Sequence, residues 1–68
     1  DGLYFYDKII REAREYLYED GYILFEIGQD QLDAVRGFLV ENGYVDIEGM
    51  KDYAGLDRIV TARYPALV

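Results

Sequence analysis

Two periods govern the apolar positions of this chain. Between Leu3 and Leu17, residues Tyr6, Ile9, Ile10, Ala13, Tyr16 and Leu17 return at steps of three and four, while Asp7, Lys8, Arg11, Glu12, Arg14 and Glu15 fill the opposite side. That spacing predicts a surface helix with one buried stripe. Asp1 is placed to cap its start, Asp7 and Arg11 are spaced for an i,i+4 ion pair, and Asp20-Gly21 supplies the turn that ends it. A second helix is predicted after Gly28, with Asp30 as N-cap, Asp33 complementing the helix dipole, and Leu32, Val35, Phe38 and Leu39 facing inward. Asn42-Gly43 closes it.

The remaining segments carry strand signals. Gly21 to Gly28 is an apolar run interrupted by one charge, Glu26, and its apolar residues occupy both faces of an extended chain. Such a strand normally lies inside a parallel sheet covered by helices above and below. Tyr44 to Met50 alternates, with Val45 and Ile47 on one side and Asp46 and Glu48 on the other, as a half-exposed strand does. Lys51 to Asp57 reads as a connection containing Ala54-Gly55, and Arg58 to Arg63 as a β-branched strand ended by Pro65.

The order is therefore helix, strand, helix, strand, strand. The first two strands and the helix between them form a parallel crossover, and the last strand enters antiparallel between or beside them. With both helices on one face, the other face of Tyr22 to Ile27 has no cover within the chain.

Length sharpens this mismatch. A chain of 68 residues without cysteine or histidine has no disulfide or structural zinc site to support its small core. The chain begins at Asp1, and neither a signal-peptide pattern nor a membrane-length apolar run follows, so it is expected to be a soluble, cytoplasmic piece of a longer protein. The lack of cysteine fits a reducing compartment. Fourteen acidic against seven basic side chains give a net charge of -7, which repels phosphate backbones and argues against direct nucleic-acid binding. The acids are spread among apolar residues as a solvated surface is, and the eight tyrosines are expected as half-buried residues at the edge of the core.

Three stretches resemble the HemK-type protein methyltransferases, which N5-methylate the glutamine of the Gly-Gly-Gln motif in peptide-chain release factors. Asp1-Gly2-Leu3-Tyr4-Phe5-Tyr6 running into Ile9-Ile10 is similar to that family's D-G-L-x-F-Y. Leu24-Phe25-Glu26-Ile27-Gly28 with Gln31 and Ala34-Val35 resembles its L-x-E-I-G-x-x-Q-x-x-A-V, and Asp52 to Ala62 its D-x-A-G-x-D-R-x-V-x-A. The order and spacing of the three carry the resemblance. Departures are small: Glu19-Asp20-Gly21 stands where the family often has P-G-G, and Leu32 where a small residue is common.

The resemblance implies an α/β, Rossmann-like, seven-stranded fold using S-adenosylmethionine. Residues 1–68 would be an incomplete C-terminal part of its catalytic domain, carrying strands five, six and seven, with the seventh antiparallel between the other two. The family's glycine-rich cofactor loop and its N-P-P-Y motif would precede this segment, and no glycine here stands in a G-x-G pattern after a strand. The chain by itself is therefore expected to be inactive, with no catalytic, cofactor-binding or metal-binding residue of its own. Its partners would be a release factor and the missing N-terminal part of its own domain, with self-association through the uncovered sheet and no membrane.

Candidate site residues follow from the rule that open α/β sheets bind ligands beyond the carboxyl ends of their strands. Glu26, Gln29 and Gln31 lie there and are expected to line a crevice. Glu26 either holds a polar group in the crevice or accepts hydrogen bonds from the adjacent loop backbone. Asp30 reads as a cap. Asp52, Asp57 and Arg58 could be an acid-base set, but without a histidine or nucleophile an ion pair across the loop is the favoured reading. Asp30-Gln31-Leu32-Asp33 lacks the ligand spacing of a calcium loop. Two competing readings are a small acidic αβαββ interaction module that dimerises through its open edge, and a different methyltransferase with the same half-fold.

Overall fold

The computed structural model describes residues 2–17, 20–28 and 30–65. Five elements follow one another: α1 (Gly2–Ala13), β1 (Gly21–Glu26), α2 (Leu32–Glu41), β2 (Val45–Lys51) and β3 (Asp57–Tyr64). The strands form one sheet in the order β1-β3-β2, and β3 is antiparallel to both neighbours. β1 and β2 therefore run parallel, and β3 fills the gap between them. That is the predicted arrangement, with the last strand between the others rather than beside them.

The two helices share one face. Ile10 from α1 and Val35 and Leu39 from α2 join Phe25 and Ile27 and the β3 residues Val60 and Ala62 in one buried cluster, with Tyr44 at its border. The pairs Phe25↔Val60 and Ile23↔Ala62 place these β1 and β3 residues on the same side of the sheet. Their neighbours Tyr22, Leu24 and Glu26 lie opposite Arg63, Thr61 and Ile59 on the other side, which no described element covers. Tyr22 and Leu24 are 65% and 61% exposed. The strand is apolar on both faces, and one face is bare.

Helix α2 shows how sequence fixes packing here. Its end is a Schellman motif: Tyr44 N–H donates to the Leu39 carbonyl at 3.0 Å, Gly43 N–H donates to Val40 at 3.1 Å, and Gly43 has φ 87°. Asn42 Nδ2 adds a bond to the Phe38 carbonyl at 2.8 Å. At the helix start Leu32 lies over Gly49 of β2, where a Cβ would stand 3.2 Å from both Leu32 methyl carbons. Gly49 thus lets the helix approach the sheet closely.

Several expectations need correction. Helix α1 ends at Ala13 rather than Leu17, and side chains meet the carbonyls of its last turn: Tyr44 Oη donates to Ile10 O at 2.8 Å and Arg14 Nε to Arg11 O at 3.0 Å. Residues 14–17 continue as tight turns, so Tyr16 turns outward, and Ile9 lies at the exposed border of the stripe. The Asp7–Arg11 pair is present at 3.9 Å. Asp1, expected as a cap, lies outside the described residues. Asp30 does not cap α2: Gln31 holds the cap position, and Asp30 is exposed.

Strand β1 stops at Glu26 instead of Gly28, with Ile27 N–H still donating to Arg58 O at 2.8 Å before the partner strand ends. The alternation expected for β2 is broken by an extra residue between Val45 and Glu48, where Asp46 takes φ 53°. Arg63 compensates. Its Nε donates to Asp46 Oδ2 at 2.7 Å, and its Nη1 meets Asp20, the other non-glycine residue with positive φ. One guanidinium so ties the starts of β1 and β2 to the end of β3. The tyrosines divide: Tyr44 is buried and Tyr6 and Tyr64 are half-buried, but Tyr4, Tyr16, Tyr22 and Tyr53 are largely exposed.

Candidate functional site

The carboxyl ends of β1 and β2 lie at the same end of the sheet, one on each side of β3, since Glu26 and Met50 both stand opposite Ile59. At this end Glu26, Ile27, Arg58 and Ile59 line a cleft of about 280 Å³. Glu26 is exposed on the uncovered side, and its carboxylate makes no hydrogen bond or ion pair with a described residue. Its backbone does: Tyr6 Oη donates to Glu26 O at 2.8 Å, while the Tyr6 ring meets Phe25 edge-on at 5.8 Å. Helix α1 is thereby fastened to the end of the strand that carries the cleft.

Gln31 performs a local task. Gly28 N–H donates to its Oε1 at 2.8 Å, and Gln31 N–H donates to Gly28 O at 3.0 Å, which closes the turn between β1 and α2. A polar side chain at this spacing satisfies an amide that β1 leaves unpaired when it ends. Gln29 lies outside the described residues.

The other wall belongs to the β2–β3 hairpin, and Asp52 organises it. Asp52 Oδ1 accepts from the N–H groups of Ala54 and Leu56 at 2.9 and 3.0 Å, and Oδ2 accepts from Arg58 Nε at 2.8 Å. The Arg58 guanidinium, and after it the Leu56 amide, hold the Asp52 carboxyl below the usual carboxylate range. Lys51 Nζ pairs with Asp57 Oδ1 at 3.0 Å. Asp52, Asp57 and Arg58 thus form loop-bracing ion pairs, as favoured from the sequence, and not an acid-base set. Sequence reasoning missed that Arg58 and Ile59 wall the cleft. The signal was their place after the turn, where an antiparallel strand must return past the end of β1.

Among the described residues, no three Asp, Glu, His or Cys side chains are grouped to hold a metal ion, and no helix is long and apolar enough to cross a membrane. The cleft offers one carboxylate, one guanidinium already paired, and two apolar side chains.

Two helices on one face of a sheet whose antiparallel strand separates two parallel ones define part of a layered α/β domain. No family model matches the chain, but curated proteins do. It is 48% identical over 63 residues to the release factor glutamine methyltransferase of Clostridium botulinum, a match covering 93% of this chain and 22% of that protein. The homologous enzyme of Thermodesulfovibrio yellowstonii is 48% identical over 60 residues, covering 88% and 22%, and that of Fusobacterium nucleatum 43% over 63 residues, covering 93% and 18%. The chain is similar to one segment of these release factor glutamine methyltransferases and spans about a fifth of their length. That similarity favours the enzyme-segment reading over a stand-alone interaction module.

Proposed function

We propose that this chain is part of the catalytic domain of an S-adenosylmethionine-dependent protein methyltransferase that N5-methylates the glutamine of the Gly-Gly-Gln motif in release factors. The observation that carries the reading is identity approaching one half over nearly the whole chain to proteins named for that activity. The sheet supports it: its order β1-β3-β2, with the antiparallel strand between two parallel ones, is the order expected of strands five, seven and six of a seven-stranded fold. In this reading residues 1–68 form an incomplete part of one domain that works in the cytoplasm. Glu26, Gln29 and Gln31 line the crevice side, and the cofactor loop and the amide-gripping residues come from the rest of the protein.

Residues of this segment then position rather than react. Glu26 sits where a polar group could be held beside a substrate amide, and the paired Arg58 keeps the opposite wall fixed. The isolated chain is inactive and binds no S-adenosylmethionine, and in the full-length protein the rest of the domain covers the face that is bare here. Incubating the full-length protein with S-adenosylmethionine and a release factor tests the reading: peptide mass spectrometry is expected to find one added methyl group on the Gly-Gly-Gln glutamine. An unmodified glutamine would refute it. Micromolar binding of S-adenosylmethionine to the isolated chain by calorimetric titration would refute the division of labour.

A further inference from the structure

We propose that the tip of the β2–β3 hairpin, with Tyr53 at its point, is a docking element for the protein substrate and grips a basic surface beside the cleft. The proposal rests on the methyltransferase reading above and adds to it a specificity-determining contact.

Placement comes first. The turn 52–56 follows the end of β2, which runs parallel to β1, so it projects from the same end of the sheet as the cleft. Arg58 belongs to both structures, since it lines the cleft and is bonded to Asp52 in the turn. The tip is therefore a continuation of the cleft wall.

The tip is also stiff while its point is bare. Asp52 makes three side-chain bonds across the turn, its backbone adds two more to Leu56 and Gly55 at 2.8 and 3.0 Å, and the Lys51–Asp57 pair closes the base. Tyr53 nevertheless stands fully exposed, with Leu56 partly exposed beside it. A rigid loop presenting an aromatic ring loses little entropy on docking, and such residues dominate interface energetics. An exposed ring on a projecting hairpin encloses no small molecule. It can reach only a partner large enough to extend past the cleft rim, which a polypeptide is.

Charge sets the partner's chemistry. Both cations at the tip end of the hairpin are committed, Lys51 to Asp57 and Arg58 to Asp52. The exposed acids Glu26 and Asp30 at this end make no ion pair with a described residue. The uncompensated charge at the cleft is negative, which suits a basic protein surface and steers its approach.

The experiment compares two substrates of the full-length enzyme, an intact release factor and a short peptide containing Gly-Gly-Gln. Tyr53→Ala is expected to raise KM about tenfold for the protein, the loss of one interface aromatic, and to leave the peptide kinetics and the melting temperature unchanged. Rising salt is expected to raise the wild-type KM for the protein more than for the peptide. Equal behaviour of the variant on the two substrates, with the wild type active, overturns the docking role alone. A wild type that methylates neither substrate overturns the methyltransferase reading and this inference with it.

Discussion

The two faces of the three-stranded sheet both carry apolar residues of β1, in opposite surroundings. On one, Phe25, Ile27, Val60 and Ala62 are buried beneath Ile10, Val35 and Leu39. On the other, Tyr22 and Leu24 keep most of their surface in water, with Met50 exposed in the same layer. Alternation of burial along β1 thus comes from the helices, not from the sequence of β1, which is apolar on both sides. The bare face is explained if this sheet is built for two layers and only one is present.

The largest test breaks the covered face. Leu39→Ala removes a side chain with no exposed surface from between α2 and the sheet. The expected cost is about 2–5 kcal/mol. A domain of this size has roughly 0.05–0.15 kcal/mol of stability per residue, so the variant is expected to lose its cooperative urea transition by circular dichroism.

Leu24→Ala examines the bare face. At high dilution it is expected to change the stability of the isolated chain by no more than about 0.5 kcal/mol, since the side chain is mostly in water. In the full-length protein the same substitution is expected to cost about 2–5 kcal/mol, as a buried leucine does. Raising the concentration of the isolated chain should produce self-association by light scattering, and Leu24→Lys should suppress it. A chain that stays monomeric, with Leu24→Ala as costly as Leu39→Ala, would show that the two faces do not differ as described.

Tyr44 stands at the border of the covered face and gives a pH-dependent test. Its hydroxyl donates to Ile10 O from a buried position, so Tyr44→Phe is expected to cost about 1 kcal/mol. Burial, and next the neighbouring Tyr64, push the Tyr44 pKa above its usual 10.0. The folded state therefore keeps this proton longer than the unfolded chain. Its contribution is intact below pH 10.0 and is lost as pH rises through the folded pKa. Alkaline unfolding followed by near-ultraviolet absorbance should become shallower in Tyr44→Phe.

What the sequence made legible follows the same division. Helix periodicity found α2 and its Asn42-Gly43 end, because capping is local chemistry written in neighbouring residues. Two apolar faces on Gly21 to Gly28 announced, as a pattern within one strand, the face that no described element covers. What escaped depends on residues far apart in the chain. The last turn of α1 is bonded by a tyrosine 34 positions after Ile10, and the bulge at Asp46 is held by an arginine 17 positions away. Gln31, and not the expected Asp30, holds the cap position of α2, while its side chain accepts from the Gly28 amide of the preceding turn. Arg58 entered the cleft only through the strand pairing, which periodicity does not report.

The smallest effect is expected at the end of the sheet, beyond both faces, where Asp52 binds the hairpin. Two functions of its carboxylate can be separated, because an asparagine keeps Oδ1 as acceptor for Ala54 and Leu56 but replaces the oxygen that Arg58 uses with a donor. Asp52→Asn should keep the Ala54 and Leu56 amides slow in hydrogen exchange and free Arg58 at the cleft wall, whereas Asp52→Ala should speed both amides. The pair is exposed, so its effect on global stability is screened and small. Because Arg58 and then the Leu56 amide depress the Asp52 pKa, the contribution is present above the usual 3.8 and is lost as pH falls through the lower folded value. Equal acceleration in the two variants would mean that the ion pair, not the amide acceptors, holds the tip, and that cleft wall and hairpin loosen as one unit.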